Sequence, residues 1–304
     1  MNEPITVSVH TSATISENRF VLYAAWTLVL LLTVPQIILG AFLHLDIGWL
    51  EPARLIILAS LFALSFVWSL IRPLRRLILA FLIIYGVEGW LLGSLFQGSQ
   101  LFASVFGGNM NLTFFGERLA RIGATLVMLF ALLGMGLKRQ EFFLTIGKLN
   151  AVTEAERWGI PRRPQTWPGF GGRYALIIVT IFVAFMVPSL HPSLSNLSVG
   201  LVAFAALCAL MNAFAEEFLY RSALLPQVLP IFGKDASLIL VASWFGIGHY
   251  FGVPYGITGV ILTTFGGWIF AKSMVETRGM GWPLFLHFVS DFTVYLIILL
   301  AGGF

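Results

Sequence analysis

The stretch Asn212-Ala213-Phe214-Ala215-Glu216-Glu217-Phe218-Leu219-Tyr220-Arg221 sets two adjacent glutamates and an arginine directly after a long apolar run. Ionised side chains in hydrocarbon are expensive and persist where they pair or carry function. On a helix, Glu217 and Arg221 stand four apart, share a face and can neutralise each other. Glu216 is turned about 100° away by the helical repeat and has no local partner. The first glutamate therefore needs partners from elsewhere in the chain.

Composition explains why these charges matter. Of 304 residues, 58% are hydrophobic and only 11% charged, and the mean hydropathy is +0.90. A soluble domain carries about a quarter charged residues, so the chain reads as an all-α polytopic membrane protein. The single Cys208 excludes a disulfide framework and reads as a packing residue. A net charge of +4 would suggest nucleic acid in a soluble protein. Here the basic residues lie between apolar runs and report membrane orientation instead, so no nucleic-acid partner is expected.

Nine apolar segments mark nine transmembrane helices: 20–45, 55–71, 77–96, 119–137, 174–190, 197–228, 237–251, 256–277 and 283–301. With the N-terminus inside and the C-terminus outside, all but Arg54, Arg118 and Arg121 of the 18 Lys and Arg fall on the inner side. The chain then divides into a polar tail (1–19), an accessory four-span region (20–137), a basic cytoplasmic loop (138–173) and a five-span bundle (174–304). The first half of the loop, around Glu141-Phe142-Phe143-Leu144, has the spacing of an interfacial amphipathic helix. Its second half is rich in Pro and Gly and marks a boundary.

Nearly all the other polar residues of interest lie in the last five spans. Phe245-Gly246-Ile247-Gly248-His249 occurs in the seventh span, and His287-Phe288-Val289-Ser290-Asp291 opens the ninth. His287 and Asp291, four apart, share a helix face. Each group alone could serve as interhelical glue; together, on three spans, they suggest a site. If the sixth span runs to residue 228, Glu216 lies roughly 18 Å from its inner end, level with His249. His287 then sits too near the start of its span, and the turn at 278–283 has to dip into the bilayer. A carboxylate and a histidine at one depth can activate a water as nucleophile, with His287 and Asp291 on the far side of a substrate carbonyl.

Glu216-Glu217-x-x-x-Arg221, Phe245-x-x-x-His249 and His287-x-x-x-Asp291 resemble, in this order, the three motifs of the CPBP intramembrane proteases. That family includes the type II CAAX prenyl endopeptidases and bacterial relatives. The resemblance covers about residues 174–304. It implies a metal-independent glutamic endopeptidase without cofactor, acting on a membrane-associated peptide or protein within the bilayer of a bacterial cytoplasmic membrane. Glu216 and His249 would hold the attacking water, and His287 with the residue four on would form the oxyanion hole. Glu217, Arg221 and Phe245 would support these groups or position the substrate. The prenyl endopeptidases have Asn where this chain has Asp291. Ionised Asp only accepts hydrogen bonds, so Asp291 is expected to orient His287 and leave donation to the imidazole.

Other hydrolase patterns are missing: no His-Glu-x-x-His, no Gly-x-Ser, and no pair of aspartates deep in the spans. Three competing readings remain from the residues. One is a metal site built from His249, His287 and a glutamate. The second is a proton-coupled transporter using Glu216, His249 and Asp291 as a relay. The third is a catalytically silent immunity or scaffold protein. Glu88, in the third span, has no partner in its own stretch and is protonated, pore-facing or paired across the bundle. Lys272 and Glu276 read as a pair at the membrane edge.

Overall fold

The chain folds into helices because almost every long segment is apolar and must satisfy its own backbone hydrogen bonds in lipid. The computed structural model describes residues 15–157 and 160–303, so most of the tail expected at 1–19 lies outside the described residues. The helices are α1 (Ile15–Pro35), α2 (Leu50–Leu64), α3 (Arg75–Ile83), α4 (Gln100–Phe106), α5 (Met110–Gly134), α6 (Trp167–Leu190), α7 (Val199–Glu217), α8 (Leu225–Gly248), α9 (Gly256–Thr277) and α10 (Gly281–Leu300). Three run on as π-helical turns: α1 through Gln36–Phe42, α3 through Ile84–Phe96 and α7 through Phe218–Ser222. Among the described residues there is no strand, only an isolated bridge between Val152 and Thr166.

Among the described residues, seven stretches are long and apolar enough to cross a bilayer: Arg19–Phe42, Arg72–Phe96, Trp167–Leu190, Val199–Ser222, Leu225–Phe251, Gly256–Thr277 and Gly281–Leu300. The chain is an integral membrane protein. The two other segments expected to span are α2 and α5. α2 has 15 residues, short of the roughly 20 that a bilayer core asks for. α5 has 25 residues but carries Glu117, Arg118 and Arg121.

Helix starts follow local chemistry. The side chains of Asn109 and Ser198 accept from the amides of Leu112 and Leu201, capping α5 and α7. The end of α7 is hidden in the sequence. The chain turns at Ala223 and Leu224, both fully buried, and Pro226 in the first turn of α8 is the one breaker near it. The break expected between 228 and 237 exists, but inside α8, at Gly233 with φ 74° and ψ −179°, a conformation open to glycine. The helix bearing Glu216 therefore ends at Ser222, whose hydroxyl meets Met274 Sδ near the end of α9 at 3.8 Å. Glu216 to Ser222 and Gly281 to His287 are each six residues, roughly 9 Å at 1.5 Å per residue. Glu216 and His287 are level without any dip of the 278–283 turn.

The loop between α5 and α6 is packed and contains no helix at 141–149. Phe143 (φ 59°) and Gly147 (φ 81°) take left-handed conformations that break a helical path. The segment instead clasps the turn after α9. Lys148 N donates to Thr277 O (2.7 Å), Met280 N to Thr145 O (2.7 Å) and Gly281 N to Ile146 O (3.0 Å). Phe142 is buried against Phe218 at 5.9 Å. The expected amphipathic spacing reflects burial of Phe142 and Phe143 on protein. Lys272 and Glu276 are more than an edge pair. Buried Lys272 meets Glu276 (2.5 Å) and Glu156, while Lys234 bridges Glu276 and Glu154 (2.7 Å each). One hydrophobic core includes Leu28, Phe81, Met128, Leu219, Val241 and Met274, so helices from both halves of the chain share it.

The loop–turn clasp generates a stability prediction. A Cβ on Gly279 would lie 2.4 Å from Gly147 N, so Gly279→Ala should lose about 1–3 kcal/mol through overpacking. Gly172, in α6 with open space around it, is the control: Gly172→Ala should leave the melting temperature in detergent unchanged or slightly raised. Equal melting temperatures for the two variants would sink the clasp as a stabilising element.

Candidate active site

Positions 212, 216 and 220 recur every four residues on one face of α7 and its π-helical extension, and 217 and 221 on the next face. The two faces meet different partners. On the first, Glu216 Oε1 accepts from Arg121 Nη1 of α5 at 2.6 Å and from Asn212 Nδ2 at 3.2 Å. Asn212 is thus a local partner for a glutamate whose stretch showed none. Arg121 Nη1 also lies 2.6 Å from Asn212 Oδ1, and Arg121 Nε lies 3.0 Å from Glu88 Oε1. Tyr220 donates its hydroxyl to the same Glu88 oxygen at 2.5 Å. Of the three options for Glu88, pairing across the bundle is the one observed.

On the second face, Glu217 and Arg221 are fully buried and bonded at 2.7 Å. Glu217 Oε1 also receives His287 Nδ1 at 2.7 Å. The carboxylate accepts, so Nδ1 carries the proton. His287 Nε2 then faces Glu216 Oε2 at 3.6 Å and Asp291 Oδ2 at 3.5 Å. Glu217, not Asp291, makes the short contact that orients His287. Asp291 Oδ2 instead accepts from Asn212 Nδ2 at 2.9 Å.

Phe245 connects these groups to His249. Its ring lies 3.9 Å from the Arg221 guanidinium carbon, a cation–π contact, and 4.2 Å from the His249 ring. Its carbonyl lies 3.0 Å from His249 Nδ1. A carbonyl only accepts, so Nδ1 is the protonated nitrogen and Nε2 keeps its lone pair. Among the described residues His249 has no direct hydrogen bond to Glu216, yet both border the same two cavities. One, of about 520 Å³, reaches into the helices of the N-terminal half. The other, of about 490 Å³, lies between α6, α7, α9 and α10 with a mostly apolar lining. Arg118, Arg121, Glu216, Phe245, His249 and Gly252 border both.

All seven residues singled out from sequence thus gather at one place. Arg121, Glu88, Tyr220 and Asn212 join them without having been anticipated. A signal existed: Arg118 and Arg121 broke the orientation rule, and Glu88 was an acid without a partner. An unpaired acid in one span and a misplaced base in another are a candidate pair. Among the described residues no three His, Cys, Asp or Glu side chains converge as a metal-ligand set.

The pairing of Arg121 predicts a specific weakness. Arg121→Met leaves Glu216 and Glu88 buried without their cation and should lower unfolding free energy in detergent by about 3–5 kcal/mol. Neutralising the acids as well, in a Glu88→Gln, Glu216→Gln, Arg121→Met triple variant, should recover most of the loss. A triple variant no more stable than Arg121→Met would refute the pairing as its cause.

Residues 198–293, from the start of α7 well into α10, match the model of the Rce1-like family, type II CAAX prenyl endopeptidase. No curated protein and no solved structure matches the chain. The matched region holds both glutamates, Arg221, Phe245, both histidines and Asp291, while Arg121 and Glu88 lie outside it. Over these helices the chain is similar to the CAAX protease-like family.

Proposed function

We propose that the protein is a glutamate-dependent endopeptidase that hydrolyses a peptide bond of a membrane-associated peptide or protein inside the bilayer. The observation that carries this reading is that Glu216 and His249 both border two cavities, one lined by many charged side chains and the other mostly apolar. A peptide chain could lie in one cavity and an apolar side chain or lipid-like group in the other, with the bond to be cut between them.

In this reading each group has a role. Arg121 and Asn212 occupy Glu216 Oε1, so Oε2 is the oxygen available as general base. The unprotonated Nε2 of His249 accepts the second hydrogen bond of the same water. The water oxygen bonds to the peptide carbonyl carbon as its proton passes to Glu216. The carbonyl oxygen gains charge and takes a hydrogen bond from Nε2–H of His287, which among the carboxylates of Glu216, Glu217 and Asp291 acts as the doubly protonated imidazolium. Glu217 holds that imidazole through Nδ1, and Arg221 holds Glu217. Collapse of the intermediate breaks the C–N bond, and the proton on Glu216 passes to the leaving amine. Asp291 acts as an acceptor that fixes Asn212, and through it the plane of Glu216.

Cleavage of membrane-anchored peptides by purified protein in detergent should fall about 10²–10⁴-fold in Glu216→Gln and should survive chelation of the wild type. A carrier would need a proton gradient, and a silent scaffold would be indifferent to the substitution. Unchanged cleavage in Glu216→Gln would end the glutamate mechanism. Asp291→Asn can still accept from Asn212 and should stay within about tenfold of wild type, whereas Asp291→Ala should lose more. Asp291→Asn raising activity well above wild type would instead make position 291 a donor to the oxyanion.

A further inference from the structure

The polar cavity is bordered by a second carboxylate, Glu88, that the proposed chemistry does not use. Glu88 lies in the π-helical extension of α3, with 12% of its side chain exposed. Its Oε1 lies 3.0 Å from Arg121 Nε and accepts the Tyr220 hydroxyl at 2.5 Å. Tyr220 stands on the π-helical extension of α7, about one turn after Glu216. Both sides of the contact thus come from π-helical turns, which concentrate at functional sites. The Tyr220 ring is set in turn by Trp244 at 5.2 Å and Phe245 at 6.0 Å.

One guanidinium therefore serves two carboxylates. Arg121 Nη1 meets Glu216 Oε1 and Asn212 Oδ1 at 2.6 Å each, while Nε faces Glu88. The guanidinium is planar and rigid, so holding Nε fixes where Nη1 points and leaves Glu216 Oε2 uncovered. Charge matters as well as position. A lone cation against a buried carboxylate favours its ionised form and makes it a poor base; a second anion on the same cation offsets that pull. The other charged or titratable groups that act on Glu216 are Arg118 on α5, His249 after α8, and His287 and Asp291 on α10. Those that act on Glu88, besides Arg121, are Tyr220, Tyr85 and Glu216.

We propose that Glu88 is a positioning residue for the glutamate base: it anchors Arg121 by Nε so that the guanidinium covers one oxygen of Glu216, and its charge keeps that carboxylate able to take a proton from water. The proposal rests on the endopeptidase reading and adds to it a control from outside residues 198–293, the region that matches a family. Glu88 touches no reacting atom. It acts through Arg121, and Tyr220 fixes it there.

The test uses the full-length protein in detergent. Glu88→Gln keeps an oxygen for both donors and removes the charge, whereas Glu88→Asp keeps the charge. Glu51→Gln is the control: it removes another acid on the same cavity, one that accepts from Ser94. The first readout needs no substrate. Dicyclohexylcarbodiimide reacts with a protonated carboxyl, and its labelling of Glu216 is followed against pH by mass spectrometry, with Glu216→Gln as the blank. Removing a nearby negative charge favours ionisation of Glu216, so labelling in Glu88→Gln should fall off about one pH unit lower than in wild type. Glu88→Asp and Glu51→Gln should follow the wild type. The second readout is peptide cleavage. In Glu88→Gln the acid limb of kcat/KM should move by the same amount, and kcat should fall about three- to tenfold with KM within about twofold. A merely structural Glu88 would lower stability and move neither pH midpoint. Unshifted midpoints in Glu88→Gln overturn the proposal. So does an equal shift in Glu51→Gln, or a Glu88→Gln variant that fails to fold, since Arg121 and Glu216 balance each other without it. Shifted labelling with no cleavage by the wild type would defeat the endopeptidase reading and leave the positioning role standing. Glutamate-dependent cleavage with unshifted midpoints would do the reverse. A Glu216 that neither labels nor supports cleavage overturns both.

Discussion

Two carboxylates on adjacent positions of a buried helix face different ways and cannot both be held by one guanidinium, and much of this bundle follows from that constraint. Glu216 and Glu217 point about 100° apart, so each must find positive charge in a different direction. Glu217 finds it within α7 and its extension, at Arg221, and passes its second contact to His287 of α10. Glu216 finds it across the bundle, at Arg121 of α5, which Glu88 steadies from behind. The pair thereby ties α7 to the C-terminal helices on one face and to the N-terminal helices on the other. Breaking either pair strands a buried charge, a penalty of about 3–5 kcal/mol, which is a large share of a typical folding free energy.

The π-helical turns at Phe218–Ser222 sit where these demands collide. Such turns are rare and concentrate at functional sites. Here the extension must place Tyr220 on Glu88 and Arg221 on Glu217 at once, and then turn within two buried residues into α8. The cost is visible in Glu217 Oε2 and in Arg221 Nε and Nη2, which are buried without a hydrogen-bond partner among the described residues. The Phe245 ring over the guanidinium covers part of that deficit, and the same residue's carbonyl sets the tautomer of His249. One phenylalanine thus couples the structural ion pair to a proposed catalytic imidazole.

The sequence made the helical class and the buried polar positions legible, because both depend on composition and on i, i+4 spacing. It made the contact between Glu217 and Arg221 legible for the same reason. It did not reveal Arg121, because a guanidinium that faces inward from α5 looks in sequence like a loop charge on the wrong side. It hid the end of α7, because the turn itself is made of buried Ala223 and Leu224 and Pro226 just after it sits in an otherwise apolar run. That error misplaced Glu216 in depth and created a difficulty with His287 that the structure removes. The periodicity around Phe142 was real, but it encoded packing against Phe218 rather than a helix on the membrane surface. Pattern alone reports which side chains are buried; it does not report by what.

The site's partition has a consequence for how such a protein could acquire its substrates. The groups proposed to move protons and stabilise charge all lie in residues 198–293, the region that matches a family. The cation on Glu216 and much of the polar wall come from α2, α3 with its extension, and α5, outside that region. Chemistry needs Glu216, His249 and His287 in one fixed arrangement, and tight ion pairs enforce it. Recognition needs only that something complementary line the approach, and a wall contributed by other helices can change without moving the reacting atoms. Arg121 is the exception, since it belongs by position to the wall and by contact to the catalytic carboxylate. Any change in the N-terminal helices must therefore keep one guanidinium anchored at Glu216 while leaving the rest of the wall open to vary.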